Sequence, residues 1–95
     1  MQQSPEAQIP ITVTLIARSD CSTCRNLLDE LAPLRNMSYI QLNVVNVDQE
    51  KLPPYAQGSI VPATYIGEKL WRFGKYPRKA LEERLRREIL IPHVE

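Results

Sequence analysis

Residues 11–25 read Ile11-Thr12-Val13-Thr14-Leu15-Ile16-Ala17-Arg18-Ser19-Asp20-Cys21-Ser22-Thr23-Cys24-Arg25, and the fold is decided in this stretch. Ile11, Val13 and Leu15 point one way and Thr12, Thr14 and Ile16 the other, the two-residue period of a β-strand. The second set is only partly polar, which suits a central strand covered on both faces. Past the strand the period changes. Cys24, Leu27, Leu28, Leu31 and Leu34 recur at steps of three and four, the spacing of a helix with one apolar face. Pro33 lies inside that pattern and removes a backbone donor, which predicts a kink or an early end. The two cysteines therefore fall at a strand-to-helix junction.

Working downstream, residues 38–47 are rich in Ile, Leu and Val and read as a second strand that closes at Asp48. Asp48 is a candidate N-cap for a short, proline-disturbed helix over residues 49–57, ended by Gly58. Residues 63–66 and 69–73 read as two short strands joined through Gly67-Glu68 in a hairpin. On the second of them, Trp71 and Phe73 share one face and are expected to pack under a helix. The last helix covers residues 77–90, with proline at its first position and Leu81, Leu85 and Ile89 on one stripe, and Pro92 stops it. The order is β-α-β-(α)-β-β-α. It implies an α/β fold: a four-stranded mixed sheet flanked by helices on both faces. Residues 1–10 are expected to form a flexible tail, 11–91 the domain and 92–95 a short C-terminal tail.

Composition narrows the classes of function. A chain of 95 residues with 43% hydrophobic and 24% charged residues is an ordinary single globular domain. Lys+Arg is 12 against Asp+Glu of 11, a net charge of +1, without the basic excess of a nucleic-acid binder. The densest basic stretch, residues 78–87, is interrupted by Glu82 and Glu83, and predicts i,i+4 pairs of Glu82 with Arg86 and Glu83 with Arg87. No apolar run approaches the roughly 20 residues that span a bilayer. The opening MQQSPEAQIP lacks the basic and apolar regions of a secretory signal, so the expected location is cytoplasmic.

Two cysteines are too few for a disulfide scaffold or for a structural zinc site, which wants four ligands. The single histidine, His93, lies in the tail and is read as solvated, so no metal site is expected. Two readings remain, a buried pair with no redox role and a redox-active dithiol, and the position at a helix start favours the second. The thiolate is the reactive form of cysteine, and the unpaired N–H groups and dipole of a helix N-terminus favour it at Cys21. Cys24, one turn deeper on the same face, can reach the first sulfur. Cys21 is thus the candidate nucleophile toward a substrate disulfide, and Cys24 the candidate resolving cysteine.

These residues resemble the thioredoxin-like superfamily, at the size of a glutaredoxin. Strand-Cys21-Ser22-Thr23-Cys24-helix is similar to its redox motif. Val47-Asp48-Gln49, then Tyr55, then Ser59-Ile60-Val61-Pro62-Ala63-Thr64 resembles the segment leading into its cis-proline. Arg72-Phe73-Gly74 and the helix after it resemble the closing strand and helix. The resemblance covers about residues 11 to 90. It implies a cis Val61–Pro62 bond, Pro62 beside the sulfurs, and the Val61 backbone pairing with bound peptide or glutathione. It also implies that Gly74 keeps the surface near the disulfide flat, and that Arg18 stands where many glutaredoxins hold a lysine for a glutathione carboxylate. Asp20 and Ser22-Thr23 depart from the Trp and Gly-Pro of thioredoxin, and the Gly-Gly pair of glutaredoxins is replaced.

The activity implied is thiol–disulfide exchange without a resident cofactor, with glutathione as a candidate co-substrate. The partners implied are protein disulfides and a reductase or glutathione, with no nucleic acid or membrane and a monomeric protein. Two other classes stand beside it. One is a dimer holding a metal or iron–sulfur cluster on two cysteines from each subunit. The other is a binding module that keeps the fold without turnover.

Overall fold

A computed structural model of the protein describes the backbone of residues 10–90 and the side chains of residues 10–88. The expected tails, Pro92 and His93, and the side chain of Ile89 lie outside the described residues, Pro10 excepted. The elements are β1 (Ile11–Ala17), α1 (Ser22–Leu31), a 3₁₀ segment (Ala32–Asn36), β2 (Ile40–Asn46), β3 (Ala63–Ile66), β4 (Lys69–Phe73) and α2 (Arg78–Leu90). The strands form one sheet in the order β2-β1-β3-β4. β1 runs parallel to β2 with Ile11 opposite Ile40, and antiparallel to β3 with Ile16 opposite Ala63. β3 and β4 form the antiparallel hairpin, with Gly67 at φ +63 in its turn. The left-handed backbone there is what glycine supplies without strain. These are the sheet order and strand directions of a small thioredoxin-like fold.

Alternation along β1 sorts the interior into two halves. Val13 and Leu15 pack with Leu27, Leu31, Leu34, Ile66, Tyr76, Leu81 and Leu85. Ile16 packs on the opposite face with Ala63 and Tyr65. Leu27 and Leu31 of α1 and Leu81 and Leu85 of α2 are at most 1% exposed, and burying each one is worth about 1.5–3 kcal/mol. Each face also carries one buried threonine, and each is satisfied by a tyrosine. Thr64 shares a 2.8 Å hydrogen bond with Tyr76 on the helix side, and Thr14 a 3.2 Å bond with Tyr55 on the other.

The layer arrangement corrects one expectation. Both helices lie on the same face of the sheet, and the other face is covered by residues 47–61, which carry no helix. The predicted short helix over residues 49–57 is absent because Pro53 and Pro54 remove two donors and push the residues before them out of helical backbone. A single turn closes on the Asn46 carbonyl, from the N–H groups of Gln49 and Glu50, and goes no further. Val47, Leu52, Tyr55, Ala56 and Val61 of this loop cover Ile16, Ala63 and Tyr65. Gly58 lets the loop pack closely there: a Cβ would stand 3.0 Å from Val47 Cγ1 and 3.1 Å from Leu52 Cδ1, and both side chains would have to give way.

Smaller differences have equally local causes. Pro33 ends α1 at Leu31, and the chain continues as a 3₁₀ turn that still buries Leu34. β2 starts at Ile40, not at residue 38, because the Met37 and Ile40 N–H groups close turns onto the Leu34 and Met37 carbonyls. α2 begins at Arg78, whose N–H is held by the Glu30 carboxylate of α1 at 2.8 Å, one helix capping the other. Its ion pairs are Arg78 with Glu82 and Arg84 with Glu88, the expected spacing on different partners. Trp71 and Phe73 do not share a face. A bulge in the β3–β4 register leaves Trp71 as the extra residue, so Trp71 packs toward the helices while Phe73 is 40% exposed.

Candidate functional site

The parallel β1–β2 pair and the antiparallel β3–β4 hairpin place four chain segments at one end of the sheet. These are the ends of β1, β2 and β4 and the start of β3. The junction carrying Cys21 leaves β1 there, and Val61–Pro62 enters β3 beside it. Gly74 follows β4.

Cys21 is the N-cap residue of α1, with extended backbone (φ −147, ψ 101). Its Sγ accepts a hydrogen bond from the Cys24 N–H at 3.1 Å, and its carbonyl accepts the first helical bond from Arg25. The sulfur thus occupies the position where serine or aspartate oxygens ordinarily satisfy the free amides of a helix start. Cys21 and Cys24 are joined in a disulfide, with Cα atoms 5.2 Å apart. The two sulfurs differ in access: Cys24 is 1% exposed and Cys21 half-buried. No acidic residue stands in the first turn of α1.

The Val61–Pro62 peptide bond is cis, Pro62 is buried, and its carbonyl accepts the Gly74 N–H at 2.8 Å. Gly74 has φ +82, a left-handed conformation that glycine alone takes without strain. Val61 is half-buried against the loop-side core. The fold therefore brings Cys21, Cys24, Val61, Pro62 and Gly74 to the same end of the sheet. Arg18 is at this end as well, with its guanidinium committed to the Gly58 carbonyl at 3.1 Å.

Sequence reading did not foresee the polar frame that holds these segments. The Ser19 N–H donates to the Asp48 carboxylate at 2.9 Å, and Asn46 Nδ2 donates to Ser19 Oγ at 3.0 Å. Asp48, expected as a helix cap, thus ties the loop before Cys21 to the end of β2. Gln57 plays the same part on the proline side. Its Oε1 accepts the Ser59 and Ile60 N–H groups, its Nε2 donates to the Ile60 carbonyl, and its own N–H donates to Tyr65 Oη. Gln-x-Ser could have been read as a local side-chain turn; the contacts across 27 to 29 residues carried no local signal.

Among the described residues, no group of three or more His, Cys, Asp or Glu side chains could hold a metal ion. No described helix is long and apolar enough to cross a membrane. No family model and no curated protein matches the chain.

Among the described residues, one titratable group is strongly perturbed. Burial pushes the Tyr76 hydroxyl up to about 12, with the Thr64 hydrogen bond and the nearby Arg72 charge opposing the shift. Because the folded value lies above the unfolded one, this contribution to stability is complete below pH 10 and lost as pH rises toward 12. The loss amounts to about 2–3 kcal/mol. Tyr76→Phe is expected to flatten that alkaline decline in urea unfolding curves taken across this pH range. An unchanged decline would place the alkaline weakness elsewhere.

Proposed function

We propose that the protein is a thiol–disulfide oxidoreductase of the thioredoxin type, working through Cys21 and Cys24. The observation that carries this reading is the position of Cys21: it caps α1, accepts the Cys24 amide and pairs with Cys24 across one turn. An N–H aimed at the sulfur and the positive end of the helix both favour a thiolate over a thiol. The more exposed sulfur is the one a substrate reaches first.

The cycle starts from the dithiol. The Cys21 thiolate attacks a substrate disulfide, so a Cys21–substrate S–S bond forms, the substrate S–S bond breaks, and the departing sulfur takes a proton. Cys24, deprotonated, then attacks Cys21 Sγ, which forms the internal disulfide and releases the second substrate thiol. Two electrons pass from protein to substrate. A dithiol reductase or a pair of glutathione molecules returns them. Substrate main chain pairs along Val61 beside Pro62, a mode that reads backbone and so admits many protein disulfides. The protein works as a monomer in a reducing, cytoplasmic setting.

The test is equilibration in graded ratios of reduced to oxidised glutathione, with intact mass and free thiols read at each point. The expected result is one two-electron transition between dithiol and internal disulfide, at a potential between about −270 and −120 mV. A stable glutathione adduct at intermediate ratios would assign glutathione as co-substrate. Cysteines that stay unchanged across the whole range would defeat the enzymatic reading.

A further inference from the structure

A second region of interest lies on the helix side of β4, away from the disulfide. Trp71, Arg72, Ala80, Glu83, Arg84 and Arg87 line a cavity of about 230 Å³ between β4 and α2. The β-bulge creates it. With Trp71 as the extra residue, Trp71 and Arg72 turn to the same side, and the Arg72 guanidinium lies 4.4 Å from the Trp71 ring and 5.8 Å from the Tyr76 ring. Arg84 is paired with Glu88. Arg72 and Arg87 form no ion pair among the described residues. Three arginines and Glu83 therefore line a space walled on one side by the Trp71 ring, with Arg84 already neutralised by Glu88 and Arg72 and Arg87 left to meet a ligand.

We propose that this cavity binds a tetrahedral oxyanion of the phosphate class. Guanidinium groups present planar, forked donors that match phosphate oxygens two at a time, and they are weakly hydrated enough to do so at low cost. Stacking on Trp71 and Tyr76 holds Arg72 in place before a ligand arrives, so little side-chain freedom is lost on binding. The ring of Trp71 leaves one wall apolar, which suits a phosphate carried on a small organic group as well as the free ion. This assignment is independent of the cysteines and of the redox reading.

The chain contains a single tryptophan, and it is in this cavity. Trp71 also lines the neighbouring cavity beside Gly67 and Lys69, so its emission reports both, and Arg87, which lines only the first, tells them apart. The 95-residue protein is titrated at constant ionic strength with inorganic phosphate, with phenyl phosphate, and with sodium chloride, following Trp71 emission and, in parallel, the heat of binding. The expected result is a saturable response to the phosphates and none to chloride, weakened about tenfold or more in Arg87→Gln. Arg87 is exposed on α2, so Arg87→Gln is expected to keep the wild-type far-ultraviolet circular dichroism. Tighter binding of phenyl phosphate would identify a phosphate ester as the ligand, and tighter binding of inorganic phosphate the free ion. Absence of both emission change and heat, an equal response to chloride, or an unweakened response in Arg87→Gln would overturn the proposal.

Discussion

Cys24→Ser is expected to accumulate a mixed disulfide with a model substrate, and Cys21→Ser to accumulate none. Both variants should lose at least about three orders of magnitude in steady-state reduction. The first should nonetheless consume one equivalent of substrate, visible as an intact-mass shift that a thiol reductant removes. The reasoning is positional. Cys21 is half-buried at the start of α1 with an amide aimed at its sulfur, while Cys24 is 1% exposed one turn inside. An incoming disulfide reaches only the outer sulfur, and the inner sulfur reaches only Cys21. Trapping in Cys21→Ser but not in Cys24→Ser would reverse the two roles. Trapping in neither, with both folded, would remove exchange chemistry altogether and leave a binding module.

Leu27→Ala is expected to cost about 2–5 kcal/mol of stability, read from the urea midpoint at unchanged slope. Leu27 is 0% exposed and lies one turn beyond Cys24, packed with Val13, Leu15, Leu31, Leu81 and Leu85. Both helices reach β1 through this cluster, so the space left by the missing atoms is walled by three elements that cannot all close in. Small domains hold roughly 5–15 kcal/mol in total, and this one change would remove a large share. Leu70→Ala is the control: Leu70 is 44% exposed on β4, and its removal should stay within about 0.5 kcal/mol. A loss below about 1 kcal/mol at Leu27 would mean that the two helices do not share one core.

Much of this arrangement is legible in local sequence, and what is not has identifiable causes. β1, the β3–β4 hairpin and the body of α2 stand where two-residue and helical periods place them, because in each the apolar pattern and the turn residues agree. The misplaced element is the one where signals conflict: an aspartate suited to cap a helix precedes a proline pair that forbids it. With that helix gone, the layer it would have formed is irregular chain, and helices on both faces become helices on one. The bulge at Trp71 shifts one residue of β4 to the other face, and nothing in the alternation of Leu70, Trp71, Arg72 and Phe73 announces it. At the site, the cysteines declare themselves by spacing and position. Asp48 and Asn46 do not, because their bonds to Ser19 depend on how distant segments lie side by side, whereas the bonds of Gln57 to Ser59 and Ile60 are local.

β4 is an outer strand with Leu70 and Phe73 exposed, which by composition invites a second chain to pair along it. The same irregularity that turns Trp71 inward breaks the even ladder such a neighbour would need. Lys69 and Arg72 set positive charge on either side of the break, where an identical strand would meet like charge. At this edge one extra residue and two flanking charges stand against edge-to-edge pairing, leaving Leu70 and Phe73 without a template to propagate.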